Sequence, residues 1–211
     1  MSTSETRPDS QADTSTRTDE SGSSAQRERR RRILDATISL ASEGGFDAVQ
    51  MRAVADQAEV ALGTLYRYFP SKIHLLVSAL GRELEKTETA LRGRDLPGET
   101  SADRVIGVLK AVSRGMQGDP HLTEALTRAF MFADASVRTE IEQVGMTMSA
   151  MLARAIHPER PAPEDLTDEE VALARVIGDV WLSALVGWVT GRSSAEDTGQ
   201  QIEVAVRLLL R

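Results

Sequence analysis

The 211-residue chain contains no cysteine, which excludes disulfide frameworks and thiolate chemistry and permits a reducing compartment. No stretch of about 20 apolar residues runs free of charge, and the N-terminus lacks the apolar run of a signal peptide. A cytoplasmic protein with no membrane segment is the expectation. Phosphate-cradling glycine loops, dinucleotide-binding glycine patterns and nucleophile elbows are missing as well. The three histidines, His74, His121 and His157, lie far apart, and no third ligand joins His121 and Glu124. These absences argue against an enzyme, a metal centre or a cofactor.

Aromatic residues make up only 4% of the chain, yet Tyr66, Tyr68 and Phe69 fall within the segment VALGTLYRYFPSK, together with Arg67 and Lys72. Three aromatics in four positions cannot share one helix face, so some of them are candidates for a partner outside the fold. Charge is unevenly placed too. The net charge is -7, but residues 1–26 carry -3, residues 27–72 carry +2 and the remainder carries -6. Positive charge is confined to one segment.

Residues 1–26 contain no Leu, Ile, Val or aromatic residue and read as a disordered acidic tail. Residues 27–72 read as a DNA-binding head and residues 73–211 as a ligand-binding and dimerisation domain. In the head, Arg29 to Arg32 precede an apolar helical period that Gly44 and Gly45 stop. The four arginines read as an arm able to lie along phosphates. A second helix is expected from Met51 to Ala58, a tight turn at Glu59 and Val60, and a third helix from Ala61 to Phe69. Two short helices joined by a turn and braced by a preceding helix form a helix-turn-helix. With Leu65 and Phe69 inward, Thr64, Arg67 and Tyr68 face out, and Tyr66 lies near the boundary. Pro70 ends the third helix, Ser71 caps the next, and Lys72 sits in its first turn, where amides and an ammonium suit a phosphate.

The segment Gly44 to Leu80 resembles the DNA-binding domain of the TetR family of transcriptional regulators, most closely in the run from Gly63 to Leu75. The resemblance implies that Arg52, Leu62, Gly63 and Thr64 read base edges, while Tyr66, Arg67, Tyr68 and Lys72 are placed for phosphates. Gln50, Glu59 and Ala61 depart from the residues usual in the family at those positions. Gln is a weak N-cap, and Glu is strained at a positive φ. More narrowly, LTEALTRAFMFADAS and VIGDVWLSALVGWVTGRSSA resemble the KstR-type repressors of steroid and cholesterol catabolism. That resemblance implies a homodimer on a palindromic operator, released by a steroid acyl-coenzyme A.

Past Lys72 every segment has a helical period, so the whole chain is expected to be all-α, a three-helix head on a bundle of six helices. Val171 to Val189 is apolar nearly all round, with Arg175, Asp179, Ser183 and Gly187 in one stripe. The stripe reads as a rim or dimer contact, with Gly187 allowing close approach. Five methionines in the bundle, with few aromatics, suit a bulky neutral lipid. Leu109, Met116, Leu126, Phe130, Met146 and Trp181 are expected around it, with Arg114 and Arg128 as a basic rim. The rival readings are a regulator of efflux or fatty-acid metabolism, and a helical protein-interaction module without DNA binding.

Overall fold

The computed structural model describes residues 13–159 and 167–210, with side chains from residue 24 onward. Among these residues the chain is all-α: α1 Asp13–Ala48, α2 Met51–Gln57, α3 Leu62–Tyr68, α4 Lys72–Leu91, α5 Ser101–Gln117, α6 Pro120–Met131, α7 Arg138–Ile156, α8 Asp168–Val189 and α9 Ala195–Leu209. One 3-10 turn, Ala135–Val137, precedes α7.

Local chemistry accounts for where the helices begin. Thr100 with Asp103, Thr167 with Glu170, and Ser194 with Asp197 form reciprocal capping boxes at α5, α8 and α9. Asp119 caps α6, whose first residue is Pro120. Ser71 accepts from the His74 backbone at the start of α4. Gln50 and Ala61, by contrast, make no side-chain cap at α2 and α3. Those two helices, seven residues each, are too short to persist alone, and packing through Val54, Ala55 and Leu65 holds them.

Two expectations for the N-terminus change. Residues 1–12 of the expected tail lie outside the described residues, but from Asp13 onward the backbone is already helical and continuous with α1. Once the apolar turns near Ile33 hold a helix, the good helix formers Arg and Glu of residues 27–32 extend it by propagation, without needing an apolar face. The arginines are consequently part of a helix rather than a flexible arm.

Gly44 and Gly45 break α1 as expected, with non-helical dihedrals at both positions. Gly45 has φ 68, and a Cβ there would lie 2.8 Å from Glu124 Oε2. That approach is where α6 meets the end of α1, the main contact between head and bundle. In the bundle, α4 packs on α1, α6 and α7, α5 on α7 and α9, and α8 on α7 and α9. Helix α8 is long and apolar enough by composition to cross a membrane. Here it buries Ala174, Ile177, Trp181, Ala184 and Leu185 against its neighbours.

Candidate nucleic-acid interface and effector cavity

Leu65 and Phe69 are the inward pair of α3, 0% and 2% exposed. The turn before it places Glu59 at φ 54, the strained conformation expected for this residue. Arg32 steadies that turn from α1, donating from Nη1 to the Ala58 carbonyl at 3.0 Å and lying 3.7 Å from the Glu59 carboxylate. Outside this core, Arg52, Leu62, Gly63, Tyr66 and Arg67 are exposed and Thr64 is half-buried. Arg52 and Arg67 have no internal partner among the described residues.

The two tyrosines divide differently from the helical-wheel expectation. Tyr66 is the exposed one, at 46%, whereas Tyr68 is half-buried against the core. Its ring centroid lies 6.4 Å from that of Phe69, and its hydroxyl accepts from Arg29 at 3.5 Å. Arg29, reaching over from α1, covers the face that the wheel left open. The same packing occupies most of the arginine run: Arg30 lies 5.1 Å over the Phe69 ring, and Arg31 pairs with Glu28 and Asp35.

Lys72 stands at the head of α4, but its ammonium rests 3.9 Å from the centroid of Phe46. Burial pushes its pKa below the ordinary lysine value; Asp47 and Glu124 pull it back up, and Arg128 adds to the lowering. Arg128 also stacks on Phe46, at 4.4 Å, and approaches Glu124 and Asp47 at 3.5 and 3.7 Å. Glu124 in turn accepts the Phe46 backbone N–H at 2.9 Å. This cluster joins α1, α4 and α6. The sequence reasoning missed it, although Glu124 and Arg128 at i, i+4 carried a local signal. Arg128 is thereby committed to the head, not to a ligand rim, and Arg114 does not border the cavity.

Bordered by α4, α5, α6, α7, α8 and the loop after α4 is a half-open cavity of about 1890 Å³. Met116, Phe130, Met146 and Trp181 border it, Met146 at its exposed edge. Leu109 and Leu126 do not border it; at 0% and 2% exposure they are packed into the helical core. Helical period places a side chain inward but does not separate core from cavity wall. The cationic side chains at the cavity are Arg92, Arg94, Arg104, Arg154 and Arg175. Glu88, 8% exposed, bridges Arg92 and Arg154 at 3.0 Å each. Burial alone would raise the Glu88 pKa, but hydrogen bonds from those two arginines outweigh it and hold the carboxyl below its ordinary value. Arg104 donates to the carbonyls of Ala155 and Ile156, fixing the far end of α7.

In the α8 stripe, Arg175 and Asp179 are exposed and border the cavity. Gly187 serves a contact within the chain: a Cβ there would come 3.0 Å from Ser193 Oγ, in the turn between α8 and α9. Outward-facing apolar side chains remain on this side, among them Val176, 45% exposed, Val204 at 59% and Leu208 at 55%.

A helical head of this geometry on a cavity-bearing bundle is the architecture of ligand-responsive bacterial regulators. Residues 33–79 match the domain of bacterial regulatory proteins of the tetR family, and residues 98–209 match the tetracyclin repressor-like C-terminal domain. The chain belongs to the TetR family and is a transcriptional repressor of the KstR type, not an enzyme. It is 56% identical over 192 residues to the HTH-type transcriptional repressor KstR of Rhodococcus jostii, covering 91% of this chain and 87% of that protein. Against KstR of Mycobacterium tuberculosis the identity is 52% over 191 residues, 90% of this chain and 84% of that one. Among solved structures, a TetR transcriptional regulator from Rhodococcus sp. RHA1 superposes with a TM-score of 0.79 at 32% identity, covering 88% of this chain and 97% of its own.

Proposed function

We propose that this protein binds a palindromic operator as a homodimer, represses genes of steroid and cholesterol catabolism, and is released by a steroid acyl-coenzyme A. The cavity is the observation that carries the effector reading. Its volume of about 1890 Å³ exceeds the roughly 300–1,000 Å³ of an ordinary small-molecule site. Its walls are apolar around Met116, Phe130 and Trp181, and arginines gather where α4 ends and α5 begins. An apolar ring system fits the first region, and a polyanionic coenzyme fits the second.

On the DNA side, Arg52, Leu62, Gly63 and Thr64 are assigned to base edges, and Tyr66, Arg67, Tyr68 and Lys72 to the sugar-phosphate backbone. Gly63 supports close approach from outside: a Cβ at that position would meet nothing within 4 Å, so the fold itself does not call for glycine there. The outward apolar side chains of α8 and α9 supply the dimer face. Sensing passes along α4, which starts at Lys72 in the head and borders the cavity from Leu80 to Arg92.

Operator binding is titrated with steroid acyl-coenzyme A thioesters, free steroids, straight-chain acyl-coenzyme A and cationic dyes. Release by the steroid thioesters at the lowest concentration is expected. Release by straight-chain thioesters or dyes alone overturns the effector assignment and favours a regulator of fatty-acid metabolism or efflux.

A further inference from the structure

Five threonines are buried among the described residues, and four of them return their hydroxyl to a carbonyl oxygen. Thr37 donates to Ile33, Thr123 to Met116, Thr147 to Gln143 and Thr198 to Ser194. Thr127, only 3% exposed, is the exception: its Oγ1 is buried without a hydrogen-bond partner, and the residue borders the cavity. A buried hydroxyl without a partner is unfavourable, and because the residue borders the cavity a turn about χ1 presents that hydroxyl to a ligand atom there.

The surroundings specify what kind of atom that is. Thr127 shares the cavity wall with Met116, Phe130 and Trp181, and the indole N–H of Trp181 is already committed to Ser113 Oγ at 3.0 Å. The position along the cavity follows from α5. Arg104 and Met116 stand twelve residues apart on that helix, about 18 Å. Thr123 bonds the Met116 carbonyl, and Thr127 is one turn further along α6. Thr127 therefore serves the end of the cavity away from Arg104, on the helix that clamps Phe46 through Glu124 and Arg128.

We propose that the Thr127 hydroxyl is a specificity-determining hydrogen-bond donor, recognising a neutral oxygen, ketone or hydroxyl, at the apolar end of an elongated effector whose anionic end lies at the arginines. This inference rests on reading the cavity as the effector site. A site built around one such donor disfavours an analogue without the oxygen, because the hydroxyl is then left unpaired.

Binding to the full chain is measured by calorimetry with two matched pairs of coenzyme A thioesters. One pair is steroidal, with and without a single oxygen on the ring farthest from the thioester; the other is 16-hydroxypalmitoyl-coenzyme A and palmitoyl-coenzyme A. On whichever scaffold binds, wild type is expected to favour the oxygenated member about tenfold, the usual worth of one buried hydrogen bond. Thr127→Ser keeps that preference, and the near-isosteric Thr127→Val abolishes it while leaving affinity for the oxygen-free member unchanged. Absence of preference in wild type, or its persistence in Thr127→Val, overturns the proposal while leaving the effector reading intact. If neither scaffold binds, both fall.

Discussion

The basic residues around the head's core and the polar atoms along the cavity wall differ in how they are partnered. In the head, Arg30 stacks on Phe69, Arg31 pairs with Glu28 and Asp35, Arg32 holds the turn, and Lys72 rests on Phe46. Bordering the cavity, two buried polar atoms, Thr127 Oγ1 and Arg154 Nε, have no hydrogen-bond partner. A reading head must hold its recognition surface in one geometry before DNA arrives, so internal partners fix it. A sensor needs a site that a ligand completes in one state better than in the other, because a ligand shifts an equilibrium only by its differential affinity for the two states.

The strongest way to break the comparison is to remove the anchor of the head. Phe69→Ala empties a fully packed site and is expected to cost about 3–5 kcal/mol, seen in denaturant unfolding, with loss of operator binding. Unchanged stability would mean that the head is not organised around this ring.

Next in size is the ion cluster at the cavity. Glu88→Ala leaves Arg154 without its carboxylate and is expected to cost about 1–3 kcal/mol. Because the folded-state pKa of Glu88 is lowered, its contribution is present at neutral pH and is lost as pH falls below 4.5 towards the depressed folded value. Unfolding measured across that window should show a weaker acid dependence in Glu88→Gln than in wild type.

Gly63→Ala sharpens the contrast by separating stability from binding. Alanine is favoured over glycine within a helix by about 1 kcal/mol, so the melting temperature is expected to hold or rise slightly. Operator affinity, measured by fluorescence anisotropy, is expected to fall. A variant that binds as wild type does would remove close approach at this position.

The smallest effect concerns Lys72. Lys72→Ala is expected to weaken operator and unrelated DNA alike and to reduce the salt slope of log affinity by about 1. Should the salt slope stay the same while coupling to the effector changes, the ammonium belongs to the Phe46 cluster alone.

Much of this architecture was legible in the residues. Ser71 caps α4 and Gly44 and Gly45 interrupt α1, both where the sequence placed them. Leu65 and Phe69 at i and i+4 gave the inward face of α3 correctly. The exchange of roles between Tyr66 and Tyr68 was not legible, because a wheel has no knowledge of Arg29 and Arg30 reaching over from α1. Nor did it separate Leu109 and Leu126, sealed in the core, from Met116 and Phe130 at the cavity wall.

By itself the sequence determined the helices, their order and the helix-turn-helix, since caps, glycine stops and apolar period act over a few residues and need no distant partner. Tertiary structure alone decided where the charges and hydroxyls finish. Lys72 meets Phe46 only because α1 folds back beside α4, and Glu124 reaches the Phe46 amide only because Gly45 has no side chain. Thr127 has no partner only because the helices packed around it bring no polar group within reach of its hydroxyl. Hydrogen-bond satisfaction is a property of neighbours brought together from afar, and no local pattern encodes it.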